Sequence, residues 1–512
     1  MIFIVLFWAV LAGPLSDRPL ADADIGWHIR SGDLILATHS IPRTDPFSST
    51  MQGQPWFAWE WLYDALLGLL HHFCGLSGVV WWCALLTAAT FTLLLWQLWL
   101  RGTGLLFALV LMLLAESAAT IHLYARPHIV SWLFSLLWFV VLERWESYRS
   151  SARAPAWILW FFPASMLLWV NLHGGWIFGL ALLAIYALAA FVESLTRRDS
   201  FAAVPAAQRT RAMTLAWVIS AAATLANPFF WRLHLHIYRY LSDRYLINRI
   251  MEFRSPDFHG WAERCFVVIL ALTLIALAGN RKKLRLSHLL VVLLAVFSAF
   301  YASRNLPVSA MLLVLISGPI LWKEFTSVAE KPAAWHWVRQ AITGMAAFSD
   351  RMGAQEMQLR GHLWPIVAVT VAFVVCLHGG RLGSHRLIQA QFDPRKMPVG
   401  AVNFLEAERS GARPITEPVF STDAWGGYLI YRMYPERKVI IDDRHDLYGA
   451  ERIRQYLVLK QGEPDWRKLL EQWRIRTAVL PADSTLANLL RELPQEWRTA
   501  YEDKVAVVFE KR

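Results

Sequence analysis

The sequence has little charge and little cysteine for its length. Asp, Glu, Lys and Arg make up 17% of the 512 residues, whereas 56% are hydrophobic and the mean hydropathy is +0.36. A soluble domain usually carries about 25% charged residues, so this composition excludes an ordinary soluble protein. The four cysteines lie in or beside apolar segments without a CxxC pair, which excludes a disulfide framework and a cysteine zinc site. The sequence contains neither a phosphate-binding glycine loop nor a dinucleotide fingerprint, so no motif indicates a nucleotide-binding site.

Long apolar segments take the place of these features. A helix needs about 20 apolar residues to cross a bilayer. Residues 1–380 contain about eleven such segments, near 1–15, 78–99, 104–123, 128–143, 156–172, 175–195, 212–228, 264–280, 287–302, 306–322 and 363–380. The charged share rises from about 13% before residue 380 to about 31% after it. The sequence therefore predicts a polytopic α-helical membrane domain over 1–380 and a separate domain over 381–512.

Basic residues predict the orientation, because cytoplasmic loops retain Lys and Arg. They are enriched in five connections, near 101, 144–153, 197–211, 281–285 and 323–360. A first loop (16–77), a basic loop (229–263) and the C-terminal domain are then outside the cytoplasm, on a protein of the inner, or cell, membrane. A second crossing at 58–75 would reverse every later loop, so we interpret this stretch as a helix lying in the interface, with a true span as the alternative. Residues 1–13 are a span or a cleaved signal peptide.

The first outer loop contains the densest acidic motif of the membrane domain. Asp22 and Asp24 are two residues apart, and His28 follows Asp24 by four, which places Asp24 and His28 on one helix face. Carboxylates and a histidine in this pattern suit a general base or a divalent-metal site. The alternative is that both aspartates cap a helix beginning near Ile25. Glu60 lies later in the same loop.

Several ionisable residues lie at the outer ends of the predicted spans, where they are functional candidates. They are Arg126, His128, His173 and Arg304. Each of them alone could anchor a span at the interface, but all are predicted to share the face of Asp22 and Asp24. Convergence on one face favours a binding site.

The basic loop departs from the charge rule, because five arginines stand in a predicted outer loop. Arginine's planar fork suits phosphate groups, so Arg249 and Arg254 are candidate ligands of an anionic lipid head group. The alternative is a basic surface helix lying on anionic lipid. Glu252 in this loop could supply a second carboxylate near the first loop.

The C-terminal domain has the pattern of an α/β fold. Predicted strands at 418–421, 428–432, 439–441, 478–480 and 506–509 alternate with predicted helices at 450–460 and 466–473. Asp442, Asp443 and Asp446 form a polar cluster that could bind a cation or glycan hydroxyls. Turn and cap roles are the alternative.

The arrangement resembles the GT-C glycosyltransferases, which include the dolichyl-phosphate-mannose protein mannosyltransferases and the lipid A aminoarabinose transferases. The resemblance rests on the short leading span, the acidic first loop, the interfacial helix and the outer C-terminal domain. At motif level it covers about residues 1–125 through Asp22, Asp24, Gly53, Pro55, Trp56, Glu60, Trp61 and Leu62.

The resemblance implies roles for these residues. In the family, an acidic residue early in the first loop takes a proton from the acceptor hydroxyl while the sugar leaves a polyprenyl phosphate. That role falls on Asp24 or Asp22, with His28 beside them. By layout, donor phosphate contacts fall on Arg126, His128, His173, Arg249, Arg254 and Arg304, and an acceptor contact or second carboxylate on Glu60 and Glu252. The family's adjacent acidic pair is Asp-Ala-Asp here, so a divalent cation on Asp22 and Asp24 stays open.

The expected function is inverting transfer of a sugar from a polyprenyl-phosphate-linked donor to an extracytoplasmic glycan, lipid or protein. Membrane lipid is the expected surrounding, and no nucleic acid partner is indicated. The alternative is a non-catalytic polytopic protein that binds or moves an anionic lipid or glycan.

Overall fold

The computed structural model describes residues 1–147, 156–196, 205–279, 284–330, 335–358, 361, 363–409 and 417–512. The predicted cytoplasmic charges at Arg149, Arg153, Arg197, Arg198, Arg281, Lys282, Lys283, Lys331 and Arg360 lie outside these ranges. Up to residue 380 the helices are α1 (Ile2–Leu11), α2 (Asp24–Thr38), α3 (Trp61–Leu100), α4 (Leu105–Ala119), α5 (His128–Ser147), α6 (Phe161–Leu172), α7 (Trp176–Thr196), α8 (Ala206–Ala223), α9 (Trp231–Ser242), α10 (Arg244–Ile247), α11 (Trp261–Gly279), α12 (Leu286–Tyr301), α13 (Leu306–Glu330), α14 (His336–Gln358) and α15 (Leu363–Leu377).

The apolar segments fold as helices, as the sequence predicts. Among the described residues, six helices are long and apolar enough to cross a membrane: Trp61–Leu100, Leu105–His122, His128–Ser147, Trp176–Thr196, Trp261–Gly279 and Ser303–Ser327. Four further apolar helices are shorter: Ile2–Leu11, Trp157–Leu172, Leu286–Tyr301 and Leu363–Leu377. The predicted span at 212–228 corresponds to α8, which begins at Ala206. The helical membrane architecture is therefore confirmed, and the count of eleven spans remains a prediction.

Helix α3 contains a sharp kink. Its 40 residues are interrupted at Gly75, where φ is 57° and ψ is −154°, a conformation that glycine adopts without steric cost. The kink lies at the end of the 58–75 segment, so the segment before it is a separate helical arm. That this arm lies flat in the interface remains a prediction.

Two predicted connections contain helices, of which a helix in the basic loop was one of the alternatives and a helix in the connection 323–360 was not predicted. The basic loop 229–263 forms α9 and α10, and the connection 323–360 contains α14. In α9 the buried side chains of Leu233 and Ile237 are four residues apart, which is the spacing of one helix face. Charged residues between these apolar positions made the segments look like loops.

The C-terminal domain combines helices with a small mixed sheet, as predicted. Its helices are α16 (Val399–Arg409), α17 (Asp423–Met433), α18 (His445–Gln461), α19 (Trp466–Gln472) and α20 (Thr485–Arg491). Strands β1 (Arg381–Leu382) and β2 (His385–Arg386) form a hairpin, and β3 (Val419–Ser421), β4 (Thr477–Pro481), β5 (Trp497–Glu502) and β6 (Ala506–Lys511) form a sheet. The sheet order is β3-β4-β6-β5, with β3 and β4 parallel and the other pairs antiparallel.

Two strand predictions in this domain need correction. Residues 428–432 lie inside α17, because Trp425, Leu429 and Met433 are four residues apart and bury one helix face. Residues 439–441 make only isolated bridges, in which Val439 pairs with Val419 and with Ser48 of the first loop. The second bridge joins the C-terminal domain to the first outer loop.

Helix α2 packs very closely against neighbours on two sides. A β-carbon on Gly32 would collide with the backbone of Asp64 and Gly68 in α3, and one on Gly26 would collide with the carbonyl of Gly427 in α17. Glycine allows these backbones to approach. Helix α2 is thereby fixed between the membrane domain and the C-terminal domain.

Arg444 reinforces this junction from inside the protein. Its buried guanidinium donates to both carboxylate oxygens of Asp442 at 2.8 and 2.7 Å and lies 2.8 Å from Oδ1 of Asp45 in the first loop. It also lies 4.8 Å from the ring centre of Trp56. One buried cation therefore ties the first outer loop to the C-terminal domain.

Substitution Gly32→Ala should destabilise the protein by about 1–3 kcal/mol, because the added methyl overpacks the contact between α2 and α3. Thermal unfolding in detergent or lipid measures the change. Gly344→Ala is the matched control, since a β-carbon at this helical glycine meets nothing within 4 Å. A Gly32→Ala midpoint equal to that of wild type would show that the close contact does not hold α2.

Candidate active site

A polar cavity of about 540 Å³ lies between the first outer loop, the loop before α5, the basic loop and the C-terminal domain. Many side chains from the predicted site line it. Its ionisable lining residues are Asp22, Asp24, His28, Glu60, Asp64, Arg126, Tyr240, Arg249, Glu252, Arg304, Asp423, Asp443, Arg444, His445, Asp446 and Lys460. The sequence-predicted convergence of the first loop, the basic loop and the span ends is therefore present in the structure.

The start of α2 places two carboxylates at the cavity. Oδ1 of Asp22 accepts a hydrogen bond from the N–H of Asp24 at 2.9 Å, so Asp22 satisfies a free donor at the helix start. Asp24 is the first residue of α2 and is buried. The capping alternative thus holds for Asp22, and it does not exclude chemistry at either carboxylate.

Arg126 binds three carboxylates at once. Its Nη1 lies 2.9 Å from Oδ2 of Asp22 and 2.6 Å from Oε1 of Glu252, and its Nη2 lies 3.3 Å from Oδ2 of Asp24. The expectation that Glu252 supplies a carboxylate near the first loop is met by this geometry. Arg126 was expected to bind a donor phosphate, but its guanidinium is occupied by these carboxylates.

The carboxylates around Arg126 differ in their pKa. Burial raises the pKa of Glu252, but the adjacent Arg126 opposes this and leaves it well below the usual range. Burial, together with repulsion from Asp443 and Asp22, raises the pKa of Asp24 well above the usual range despite Arg126. Asp24 is therefore the stronger proton acceptor of the two.

The residues present do not fit a divalent cation at Asp22 and Asp24. The guanidinium of Arg126 stands within 3.3 Å of both carboxylates, where a metal ion would need to bind. Within the described ranges, Asp423, Asp443 and His445 have suitably grouped ligand atoms. Nζ of Lys460 lies 3.3 Å from Asp423, so this group already has a positive partner.

A second group of ionisable residues lies deeper in the cavity. Nδ1 of His28 lies 2.7 Å from Oδ1 of Asp64, and both side chains are buried. Nε2 of His28 lies 3.9 Å from Oε2 of Glu60, and Nε2 of His173 lies 3.7 Å from Oε1 of Glu60. Asp64 was absent from the sequence-predicted site, although it follows Glu60 by four residues and therefore faces the same side.

Glu60 has an unusual pKa. Burial is the main cause and Asp64 adds to it, while Arg126 and Arg304 oppose them, so that the pKa of Glu60 rises to about 8. Burial and Arg126 lower the pKa of His28 well below its usual range. At pH 7 the side chains of Glu60 and His28 are both predominantly neutral.

A second, largely apolar cavity of about 410 Å³ meets the polar one. Its walls come from α5, α7, α9, α12 and α13, with lining residues His128, Ser131, Trp132, His173, Ile177, Phe178, Ala181, Ile237, Leu241, Leu294 and Val308. Both cavities are lined by Trp59, Glu60, Tyr240, Phe253 and Arg304. Among the described residues, Glu60 is therefore the carboxyl group and Arg304 the guanidinium that line both cavities.

The predicted phosphate ligands separate into groups. Arg304 lies at the junction, with Nη2 3.5 Å from Nε2 of His173 and its guanidinium 4.7 Å from the ring centre of Phe253. His128 lines the apolar cavity, but its Nε2 donates to the carbonyl of His122 at 2.6 Å. Arg249 lines the polar cavity and stacks on Tyr245 at 3.6 Å.

Arg254 is exposed and lines neither cavity. The C-terminal domain contributes Asp443, whose charge raises the pKa of Asp24, and Asp446, which lies 3.0 Å from Nε2 of His236. Asp442 is committed to Arg444. Of the predicted aspartate cluster, Asp442 therefore makes a structural ion pair, whereas Asp443 and Asp446 line the cavity.

Substitution Arg126→Met should cost about 3–5 kcal/mol of stability at pH 7, because it leaves buried carboxylates without their cation. The folded-state pKa of Glu252 is below its unfolded value of about 4.3. The contribution of Arg126 is therefore fully present above that value and decreases as the pH falls below it toward the folded pKa. The unpaired carboxyls of the variant also take up protons in acid, so unfolding measured at pH 7 and pH 4 should show a smaller penalty at pH 4.

Arg254→Met is the matched control and should unfold like wild type at both pH values. An Arg126→Met penalty that did not shrink in acid would mean that its cause is packing and not the unpaired carboxylates.

Comparison with known proteins identifies the fold. No protein-family model matches the chain, and no curated protein sequence matches it. The fold resembles the Archaeoglobus fulgidus oligosaccharyltransferase tethered with an acceptor peptide, with a TM-score of 0.57 at 10% identity over 100% of this chain and 73% of that one. It also resembles oligosaccharyltransferase AglB from the same organism, in complex with an inhibitory peptide and a dolichol-phosphate, with a TM-score of 0.55 at 12% identity over 94% and 69%.

A third structure, ArnT from Cupriavidus metallidurans bound to undecaprenyl phosphate, has a TM-score of 0.49 at 15% identity, with 99% of this chain and 96% of that one covered. Identities of 10–12% to the oligosaccharyltransferase establish likeness of fold alone. The chain therefore has the GT-C fold of polytopic membrane glycosyltransferases, as the sequence analysis expected.

Proposed function

We propose that the protein is an integral membrane glycosyltransferase that moves a sugar from a polyprenyl-phosphate-linked donor to an acceptor outside the cytoplasm. The observation that carries this proposal is the junction of a carboxylate-lined polar cavity with an apolar cavity at Glu60 and Arg304. The fold neighbours support it, since one was solved with a dolichol-phosphate and another with an acceptor peptide.

The donor's two chemical parts match the two cavities. A polyprenyl chain gains free energy by staying in apolar surroundings, and the side chains between α7, α9 and α12 provide them. The attached phosphate then lies at the junction, next to Arg304. A cation already in place there stabilises the negative charge that develops on the leaving phosphate.

The acceptor hydroxyl needs a base, and Asp24 suits this role. It lines the polar cavity, and the guanidinium of Arg126, 3.3 Å from its Oδ2, favours the ionised form that a base requires. The acceptor oxygen gives its proton to Asp24 and forms a bond to the anomeric carbon as the bond from that carbon to the phosphate oxygen breaks. Displacement from the opposite side inverts the anomeric centre.

A non-catalytic lipid- or glycan-binding protein is the alternative. A carrier's polar residues should line a path through the bilayer, whereas an enzyme's carboxylates should gather in a pocket that the lipid can reach. The cavity contains buried, closely grouped carboxylates at one end of an apolar groove, which favours the enzyme.

Purified protein in lipid, supplied with a panel of radiolabelled polyprenyl-phosphate sugars, should release sugar from at least one donor. Asp24→Asn should lower the rate by about 10²–10⁴-fold, because the acceptor loses its base. Asp33→Asn, on the same helix but paired with Arg30 outside the cavity, should keep the wild-type rate. Full activity in both Asp22→Asn and Asp24→Asn would refute the assigned base, and no release from any donor would favour the alternative.

Arg304→Gln should weaken binding of a polyprenyl monophosphate by about 10–100-fold, since a hydrogen bond to a charged group contributes about 1.5–3 kcal/mol. Arg254→Gln, in which an exposed arginine outside both cavities is lost, should bind like wild type. The dissociation constants of the two variants, measured by fluorescence or scintillation proximity, test this difference. Equal loss in the two variants would point to general surface charge and not to a site at the junction.

A further inference from the structure

Sugar transfer from a lipid phosphate involves a second group that takes up a proton, the phosphate that leaves the sugar. When the bond from the anomeric carbon to phosphate breaks, the lipid becomes a phosphate monoester that carries an additional negative charge. A proton donor beside that oxygen would lower the barrier. The donor must be at the junction of the two cavities, since the phosphate of a lipid held in the apolar cavity lies there.

Glu60 is the carboxyl group at this junction, because it lines both cavities. Asp22, Asp24 and Glu252 are bound to Arg126. The ion-pair contacts recorded for Glu60 in the described part of the chain are instead with His28 and His173. Glu60 therefore has no ion pair with a guanidinium among the described residues.

Two histidines lie close to Glu60 but beyond hydrogen-bond distance. Nε2 of His28 is 3.9 Å from Oε2 of Glu60, and Nε2 of His173 is 3.7 Å from Oε1. Other groups hold both rings, because Nδ1 of His28 lies 2.7 Å from Oδ1 of Asp64 and Nδ1 of His173 accepts from the N–H of Gly175 at 3.1 Å. Glu60 is therefore enclosed by two imidazole rings whose positions are fixed from elsewhere.

Charged groups from every neighbouring element act on Glu60. Burial has the largest effect, and Asp64 of α3 and Asp446 of the C-terminal domain also favour the neutral form. Arg126 before α5 and Arg304 before α13 oppose them. Burial of His28 on α2 and of His173 after α6 lowers the pKa of each imidazole, so neither histidine adds a full positive charge.

We propose that Glu60 is the general acid of the transfer and donates its proton to the phosphate oxygen that leaves the sugar. The proposal rests on the proposed function. The acceptor O–H bond breaks as Asp24 takes its proton, the acceptor oxygen bonds to the anomeric carbon, and the bond from that carbon to phosphate oxygen breaks. The phosphate oxygen takes the proton of Glu60, and Asp24 and Glu60 then exchange protons with water in the polar cavity.

The test is the pH dependence of sugar transfer by the full-length protein in lipid. The wild-type rate should fall as the pH rises through about 8, because Glu60 then loses its proton. Glu60→Gln should lower the rate at pH 7 by about 10²–10⁴-fold and remove that fall. Glu60→Asp should retain the fall with a reduced rate. Binding of a polyprenyl monophosphate to Glu60→Gln should stay within about threefold of wild type.

Glu263→Gln is the matched control, because Glu263 is another little-exposed glutamate near the start of a helix but lines neither cavity. It should keep the wild-type rate and pH profile. If wild type is active and Glu60→Gln keeps its rate and its decline above pH 8, the acid role is refuted while the proposed function stands. Loss of lipid binding in Glu60→Gln would refute it in favour of a structural role. No transfer by wild type would refute both proposals.

Discussion

The close packing of α2 between α3 and α17 is the constraint on which the site depends. Gly32 allows contact with the backbone of Asp64, and Gly26 allows contact with Gly427. Helix α2 carries Asp24 and His28, so the same contacts set the distance between these side chains and the carboxyls of α3. They also bring the C-terminal domain over the first loop, where Arg444 secures it through Asp45 and Asp442. A larger residue at either glycine would displace α2 and, with it, the side chains of Asp24 and His28.

The cavity contains two carboxyl environments with opposite electrostatics. Asp22, Asp24 and Glu252 share the charge of Arg126, which holds Glu252 ionised. Glu60 lies between two neutral histidines, where burial raises its pKa to about 8. Asp24 has a guanidinium beside it, whereas no ion pair joins Glu60 to a guanidinium in the described part of the chain. Groups of one chemical type can serve as base and acid when their surroundings differ in this way. Glu60 also differs from the other three carboxyls in position, because the apolar cavity meets the polar cavity at this residue.

Sequence reasoning identified many of the residues that line the cavity but not the contacts between them. Asp22, Asp24, His28, Glu60, Glu252 and Arg304 do meet at one cavity, which agrees with the prediction that their loops share one face. Arg126 was assigned to phosphate, but its three carboxylate partners come from distant parts of the chain that no local pattern connects. The strand predicted at 428–432 was wrong, because these residues belong to α17, in which Trp425, Leu429 and Met433 are buried at the spacing of one helix face.

The sequence by itself determined that the chain is a membrane protein with many helices and a polar C-terminal domain. Those properties depend on local composition, because a bilayer selects for the length and apolarity of each segment separately. Only the tertiary structure decided which charges pair. Arg126 and Glu252 are 126 positions apart in the chain, and Arg444 meets Asp45 across an even longer separation. Whether a carboxyl is ionised or protonated depends on such distant partners and on burial, and therefore could not be read from the spacing of residues.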